Sequence, residues 1–211
     1  MTGARHTHEI ATFIVQRDPA FATLVHAVGP PPARRSARVE HRFASLVRSI
    51  TFQLLATKAA TTIHGRVVAL CGHEVSPTTI LRVGHDRLRD AGLSNAKAAA
   101  MIDLAQRTRD GELRLDRHGR LDDDQVLREI VTVRGVGPWT AQMYLMHTLA
   151  RRDVWPASDY GVRAGWSLVH AHHDTIDARV LQAAGDSFAG ERSALAWYCW
   201  RAVDLERRRE R

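Results

Sequence analysis

The sequence predicts an all-α fold on three grounds. Apolar residues recur at three- and four-residue spacing along most of the chain, period-two alternation of strand length is scarce, and the breaks fall on glycine, proline and capping residues. Ile10, Phe13 and Ile14 start the series and predict a first helix. Gly29, Pro30, Pro31 and Pro32, followed by Arg34 and Arg35, predict a stiff basic link, because successive prolines favour extended backbone. Leu46, Ile50 and Leu54, then Ile63, Val67 and Leu70, then Met101, Leu104 and Ala105 predict the helices of the middle of the chain, with loops at Asp110-Gly111 and Gly119. Leu121 is followed by three aspartates where the positive end of a helix dipole favours acids, so a helix starts there and continues through Leu127, Ile130 and Val131. Ala141, Tyr144, Leu145 and Leu149 predict the next one. After a connection at 151–153, Val162, Trp166 and Val169 form a helix, and Val180, Leu181 and Ala184 another. The arginine-rich end, Glu206 to Arg211, reads as a solvated helix end. Residues 1–40 are expected to form an N-terminal helical segment and its link, and 41–211 the main domain.

With 211 residues and 45% hydrophobic content, the chain can bury a large core, in one globule or two closely packed lobes, which excludes a disordered class. A formal net charge of +7 suits a polyanionic partner, nucleic acid being the commonest; a basic surface kept for solubility is the alternative. Two cysteines, Cys71 and Cys199, are too few for a disulfide framework or an iron–sulfur cluster and fit a reduced setting. No apolar run approaches membrane-spanning length, and charged residues interrupt the N-terminus, so a cytoplasmic protein is expected. His170, His172 and His173 raise the question of a metal, but only Asp174 adjoins them, and a solvated loop is the simpler reading.

The turn Gly135-Val136-Gly137-Pro138 joins two of the predicted helices. Glycine tolerates the positive φ and close backbone approach of so tight a turn, and Pro138 suits the first turn of the second helix. The amides of Gly135, Gly137 and Thr140 then face outward at the positive end of that helix, as an anion site needs. An ordinary corner between helices explains the same residues without a ligand. One helix downstream stands Asp159, after Trp155-Pro156 and before the helix containing Val162; such an aspartate commonly serves as an N-cap.

Taken together, Arg134 to Ala141 resembles the helix-hairpin-helix of the DNA glycosylase superfamily. Asp153-Val154-Trp155-Pro156 with Asp159-Tyr160 resembles that superfamily's catalytic segment in alkylation-repair 3-methyladenine glycosylases. Phe43 to Ala60, Ala91 to Lys97 and Arg192 to Trp200 are similar to further segments of the family, so the likeness runs from about Phe43 onward. It implies a fold of two closely packed helical lobes with the active-site cleft between them, and a monomer that acts on duplex DNA containing a damaged base.

The resemblance also implies roles. Asp159 is the catalytic carboxylate that stabilises a cation-like sugar and orients water, and Asp153 is a structural acid. Leu54, following Gln53, is the wedge that fills the gap left by an everted base, although Phe52 and Ala56 depart from the family's glycine and serine, and helical spacing from Ile50 also allows Leu54 a place in the core. Trp139, Tyr160 and Trp200 line a base pocket whose aromatic faces favour electron-poor alkylated bases; core positions are the alternative for the two tryptophans, and Trp155, Trp166 and Trp197 are read as core. Where lyase-active members carry a lysine nucleophile, this chain has Trp139, which implies single displacement by water and an abasic product. The expected substrates are 3-methyladenine and 7-methylguanine, with deaminated or oxidised bases, or a non-catalytic DNA-binding role, as alternatives. No protein metal site is expected, but a monovalent cation at the carbonyls of Val131, Val133 and Val136 is implied when DNA is bound.

Overall fold

A computed structural model describes residues 2–210, so Met1 of the expected N-terminal segment and Arg211 of the basic end lie outside the described residues. Among those described there are eleven α-helices, three short 3-10 turns and no strand. The helices are α1 (Thr2–Arg17), α2 (Ala22–Val28), α3 (Val39–Phe52), α4 (Thr57–Leu70), α5 (Pro77–Asp90), α6 (Asn95–Arg109), α7 (Asp123–Ile130), α8 (Pro138–His147), α9 (Tyr160–Val169), α10 (Ala178–Ala184) and α11 (Arg192–Arg209). None is long and apolar enough to cross a membrane. The proline-rich stretch from Gly29 to Arg38 forms no helix, as its extended backbone requires.

The chain divides into two compact units, one of residues 36–150 and one of residues 2–35 with 151–210. The division falls within the proline-rich link, and the N-terminal helices group with the last third of the chain.

In the 36–150 unit, Leu46, Val47 and Ile50 of α3, Met101 and Leu104 of α6, and Val126 and Ile130 of α7 are all buried, each set on one helical stripe. Helix starts are capped by side chains: Ser76 and Thr79 form a reciprocal box at α5, Asp122 and Gln125 another at α7, and Ser94 accepts the Lys97 amide at α6. Gly84, at φ 76°, interrupts α5. Helices α7 and α8 form the two arms of a hairpin, and α6 supports its turn. The Asp103 carboxylate on α6 accepts from the Arg134 amide at 2.8 Å while Arg107 donates to the same oxygen at 3.0 Å.

The two arms are tied together from within. His118 is completely buried; its Nε2 lies 3.1 Å from Glu129 of α7 and its Nδ1 3.2 Å from the Tyr144 hydroxyl of α8. Glu129 also pairs with Arg117, and Arg42 of α3 donates to the carbonyls of Leu115 and Asp116, which fixes the short turn that carries His118.

The 2–35/151–210 unit is built around aromatic rings. Phe21 meets Trp166 edge-on at 5.7 Å, Phe188 and Trp155 flank Trp166, and the Trp155 N–H donates to the Leu181 carbonyl at 2.9 Å. Val180, by contrast, faces solvent on α10 beside buried Leu181. His170 is packed as well as polar: it stacks on Trp166 at 4.3 Å and its Nε2 lies 2.8 Å from Asp18, so the histidine-rich loop is solvated from Ala171 to Asp174 but not at His170.

Burial lowers the pKa of His118; Glu129 opposes the shift, and Arg42 and Arg117 reinforce it. An unfolded histidine titrates near ~6.5. Below that value the unfolded chain binds a proton that the native chain refuses, so this group makes stability fall as pH drops. Urea midpoints for wild type and His118→Gln at pH 7.5 and pH 5.5 check this. The wild type should lose more stability over the interval than the variant, and equal losses would exclude His118 as the source.

Candidate functional site

The hairpin turn exposes its backbone. Gly135 adopts φ 70°, a left-handed conformation that glycine enters without penalty, and Gly137 caps α8 with extended backbone. No acceptor among the described residues takes the amides of Gly135 or Gly137, and Pro138 at the helix start has none to offer, so both amides are open to an outside anion at the positive end of α8. Thr140 departs from expectation. Its amide already donates to the Gly137 carbonyl at 3.0 Å in a tight first turn, and the residue is buried, so it contributes no donor to an anion. Its hydroxyl instead accepts from the Gln53 amide at 2.8 Å.

Gln53 ends α3 and turns its side chain inward, donating also to the Gly135 carbonyl at 3.3 Å. The next residue does the reverse. Leu54 sits at φ 51° with 102% relative exposure, so it is not the core leucine that its spacing from Ile50 allows. Leu55 beside it is exposed too, and α4 begins at Thr57. Across this turn, the Lys97 ammonium of α6 donates to the carbonyls of Thr51 and Gln53 at 2.9 and 2.5 Å. Both would otherwise be orphaned at the end of α3. Partial burial pulls the lysine's pKa down. Trp139, in the first turn of α8, is half-buried.

The other unit holds the carboxylate. Asp159 is the N-cap of α9: its Oδ1 accepts from the Val162 amide at 2.8 Å, and the side chain is half-buried. The same Oδ1 also accepts the indole N–H of Trp200 at 2.9 Å. Two donors thus fix one oxygen, one from the carboxylate's own helix and one from α11. Trp200 is therefore bound to the acid and half-buried, outside the core. Tyr160, 67% exposed, projects next to it. Trp155 and Trp166 are core residues as expected, and Trp197 lies at the edge under the Arg201 guanidinium.

Two further features hold this arrangement. Arg192 grips Asp153 with two hydrogen bonds of 2.6 and 2.7 Å, which holds that carboxyl below the usual carboxylate range, and Ser193 takes the Val154 amide and gives its hydroxyl to the Arg151 carbonyl. The segment leading to Asp159 is thereby stapled to the start of α11. Farther along, α9 and α11 cross so closely that a Cβ on Gly165 would overlap the Cys199 carbonyl, and one on Gly161 would lie 2.8 Å from the Trp200 ring and 3.1 Å from Asp159 Oδ1. The close crossing leaves Cys199 fully buried; burial, helped by the Asp159 charge, pushes its thiol pKa up. Among the described residues no group of three or more His, Cys, Asp and Glu side chains is arranged to hold a metal ion.

Sequence reasoning did not assign Lys97 or Gly161 a role. Lys97 is visible only as the third residue after a capping serine, and its targets are backbone carbonyls with no sequence signature.

Residues 47–188 match the family model described as the HhH-GPD superfamily base excision DNA repair protein. The chain is 27% identical over 191 residues to DNA-3-methyladenine glycosylase 1 of Schizosaccharomyces pombe, covering 89% of this chain and 84% of that one. It is 31% identical over 153 residues to the DNA-3-methyladenine glycosylase of Saccharomyces cerevisiae, covering 68% of this chain and 52% of that one. Among solved structures, the Schizosaccharomyces pombe 3-methyladenine DNA glycosylase in complex with abasic DNA superposes with a TM-score of 0.87 at 26% identity, over 93% of this chain and 97% of that chain.

Gly161→Ala is expected to cost about 1–3 kcal/mol, because the added methyl presses on the Trp200 indole in a filled crossing. Chemical denaturation followed by tryptophan fluorescence measures the loss. An unchanged midpoint together with an unchanged native spectrum would show that the indole does not lie against this turn.

Proposed function

Because the chain belongs to the HhH-GPD superfamily of base excision DNA repair proteins, we propose that it is a monofunctional DNA glycosylase that hydrolyses the N-glycosidic bond of alkylated purines, 3-methyladenine and 7-methylguanine, in duplex DNA. The observation that carries the reading is the half-buried Asp159 carboxylate, one oxygen of which is fixed by Val162 and Trp200. A cation-like sugar gains most from a negative charge already oriented before the bond breaks, since no reorganisation is then needed in the transition state.

In this mechanism the C1′–N bond breaks with its electron pair leaving on the base. An alkylated purine carries a positive charge and departs neutral, so no strong general acid is required. Asp159 stabilises the positive sugar and orients a water, which adds to C1′ and releases its proton to solvent, leaving free base and an abasic site. No step uses an amine nucleophile, in keeping with Trp139 at the hairpin position where lyase-active members carry lysine. Tyr160 and Trp200, on the unit that carries Asp159, offer aromatic faces to the cationic base. The amides of Gly135 and Gly137 hold a phosphate, and Leu54 takes the space of the everted nucleotide. The carbonyls of Val131, Val133 and Val136 would hold a monovalent cation, which would supply positive charge beside the DNA backbone: Val133 already accepts the Val136 amide, yet each carbonyl oxygen has a second lone pair. The protein acts as a monomer.

Asp159→Asn tests the chemistry cleanly, because asparagine also caps helices and keeps an oxygen for Val162 and Trp200. Release of free base from 7-methylguanine duplex should fall by roughly 100- to 1000-fold while DNA affinity is retained; undiminished release would remove Asp159 from the mechanism. A panel of duplexes with methylated, deaminated and oxidised bases fixes the substrate range, and a protein that binds all of them and releases none is a binding module. Affinity should also fall linearly with salt on logarithmic axes, and a flat response between 50 and 200 mM would argue against phosphate contacts.

A further inference from the structure

Leu54 occupies a conformation that an isolated chain avoids. A leucine at φ 51° is strained, and its fully exposed side chain gains nothing from packing. Something nearby must hold it. The residues just before it are engaged from two directions. Lys97 of α6 binds the carbonyls of Thr51 and Gln53, closing the end of α3 immediately before the turn. The Gln53 side chain crosses to the hairpin, donating to Thr140 Oγ1 and the Gly135 carbonyl. The Gly135 carbonyl belongs to the very residue whose amide is open to phosphate, and Ala100 of α6 lies 3.6 Å from where a Gly135 Cβ would sit. The leucine turn, the hairpin turn and α6 are therefore one hydrogen-bonded assembly within the 36–150 unit.

We propose that Lys97 and Gln53 are positioning residues that hold Leu54 erect before DNA arrives and register it against the phosphate-binding hairpin, so that they act on base extrusion and not on bond cleavage. The proposal rests on the glycosylase reading for its substrate. Its geometry is independent of Asp159. A preassembled wedge avoids the entropic cost of ordering a flexible loop at the moment the stack is opened. Lysine suits the task because its three donors satisfy two carbonyls at once from a flexible stem.

The test crosses each positioning variant with the wedge. Lys97→Met and Gln53→Ala are made alone and in combination with Leu54→Ala, which removes a side chain with no packing contacts. Two readouts are taken: single-turnover release of 7-methylguanine from fully paired duplex and from a bulge where the base is already unstacked, and fluorescence of 2-aminopurine beside the lesion, which reports extrusion without chemistry. Each single variant should slow release from paired duplex about tenfold, change release from the bulge less than twofold and lower the fluorescence rise. With Leu54→Ala in place, Lys97→Met should add little, since coupled residues are not additive. Equal losses on paired and bulged substrates, or full additivity with Leu54→Ala, would overturn the proposal. Lys97→Arg should restore most of the paired-duplex rate; failure of that rescue in a folded variant also counts against it. If the wild type extrudes the base but releases none, the glycosylase reading fails, while variants that lower the fluorescence rise still support the clamp.

Discussion

The Trp200 N–H held on Asp159 Oδ1 is the contact that fixes the candidate carboxylate against a second helix. It exists because α9 and α11 cross at backbone distance, which in turn requires that Gly161 and Gly165 carry no side chain. A buried or half-buried carboxylate must find donors or lose its charge, and here they come from the first turn of its own helix and from an indole on another. The Arg192–Asp153 pair and Ser193 then anchor the segment upstream, so both ends of the stretch 151–162 are fixed before a substrate is present. Rigidity around the acid is thus a property of packing between helices.

The 36–150 unit solves the corresponding problem with different groups. Its hairpin arms are joined through a histidine, a glutamate and a tyrosine buried between them, and the turn rests on α6 through Asp103. Backbone amides at Gly135 and Gly137 have no acceptor among the described residues, while three neighbouring amides are engaged internally: Arg134 donates to Asp103, Val136 to Val133 and Thr140 to Gly137. What remains is selected by elimination, and it is the part that a phosphate can use.

The helices were legible in the sequence wherever a buried stripe met a capping residue. The aspartates after Leu121 announce α7, and the 3.6-residue spacing of Leu46, Ile50, Met101 and Leu104 marks the faces that pack, whereas α5, capped by Ser76 and interrupted at Gly84, is a helix the apolar spacing did not predict. The glycine turn and Asp159 were legible as a motif. Details set by tertiary geometry were not. Leu54 continues the apolar register of α3, yet the helix ends at Phe52 and the leucine turns to solvent; Thr140 follows a helix-start pattern, yet a tight turn takes its amide; Lys97 acts on carbonyls that every residue possesses. In each case the deciding partner lies far along the chain or on the main chain, where side-chain identity carries no signal.

The left-handed tip also limits how this position can drift. Asparagine and glycine accept positive φ readily but lack the hydrocarbon bulk, whereas valine and isoleucine supply the bulk and are disfavoured there by branching at Cβ. Methionine is the nearest substitute, unbranched at Cβ and similar in volume, at the cost of a looser side chain. Backbone shape at residue 54 therefore screens out side chains branched at Cβ before any selection for what the residue touches.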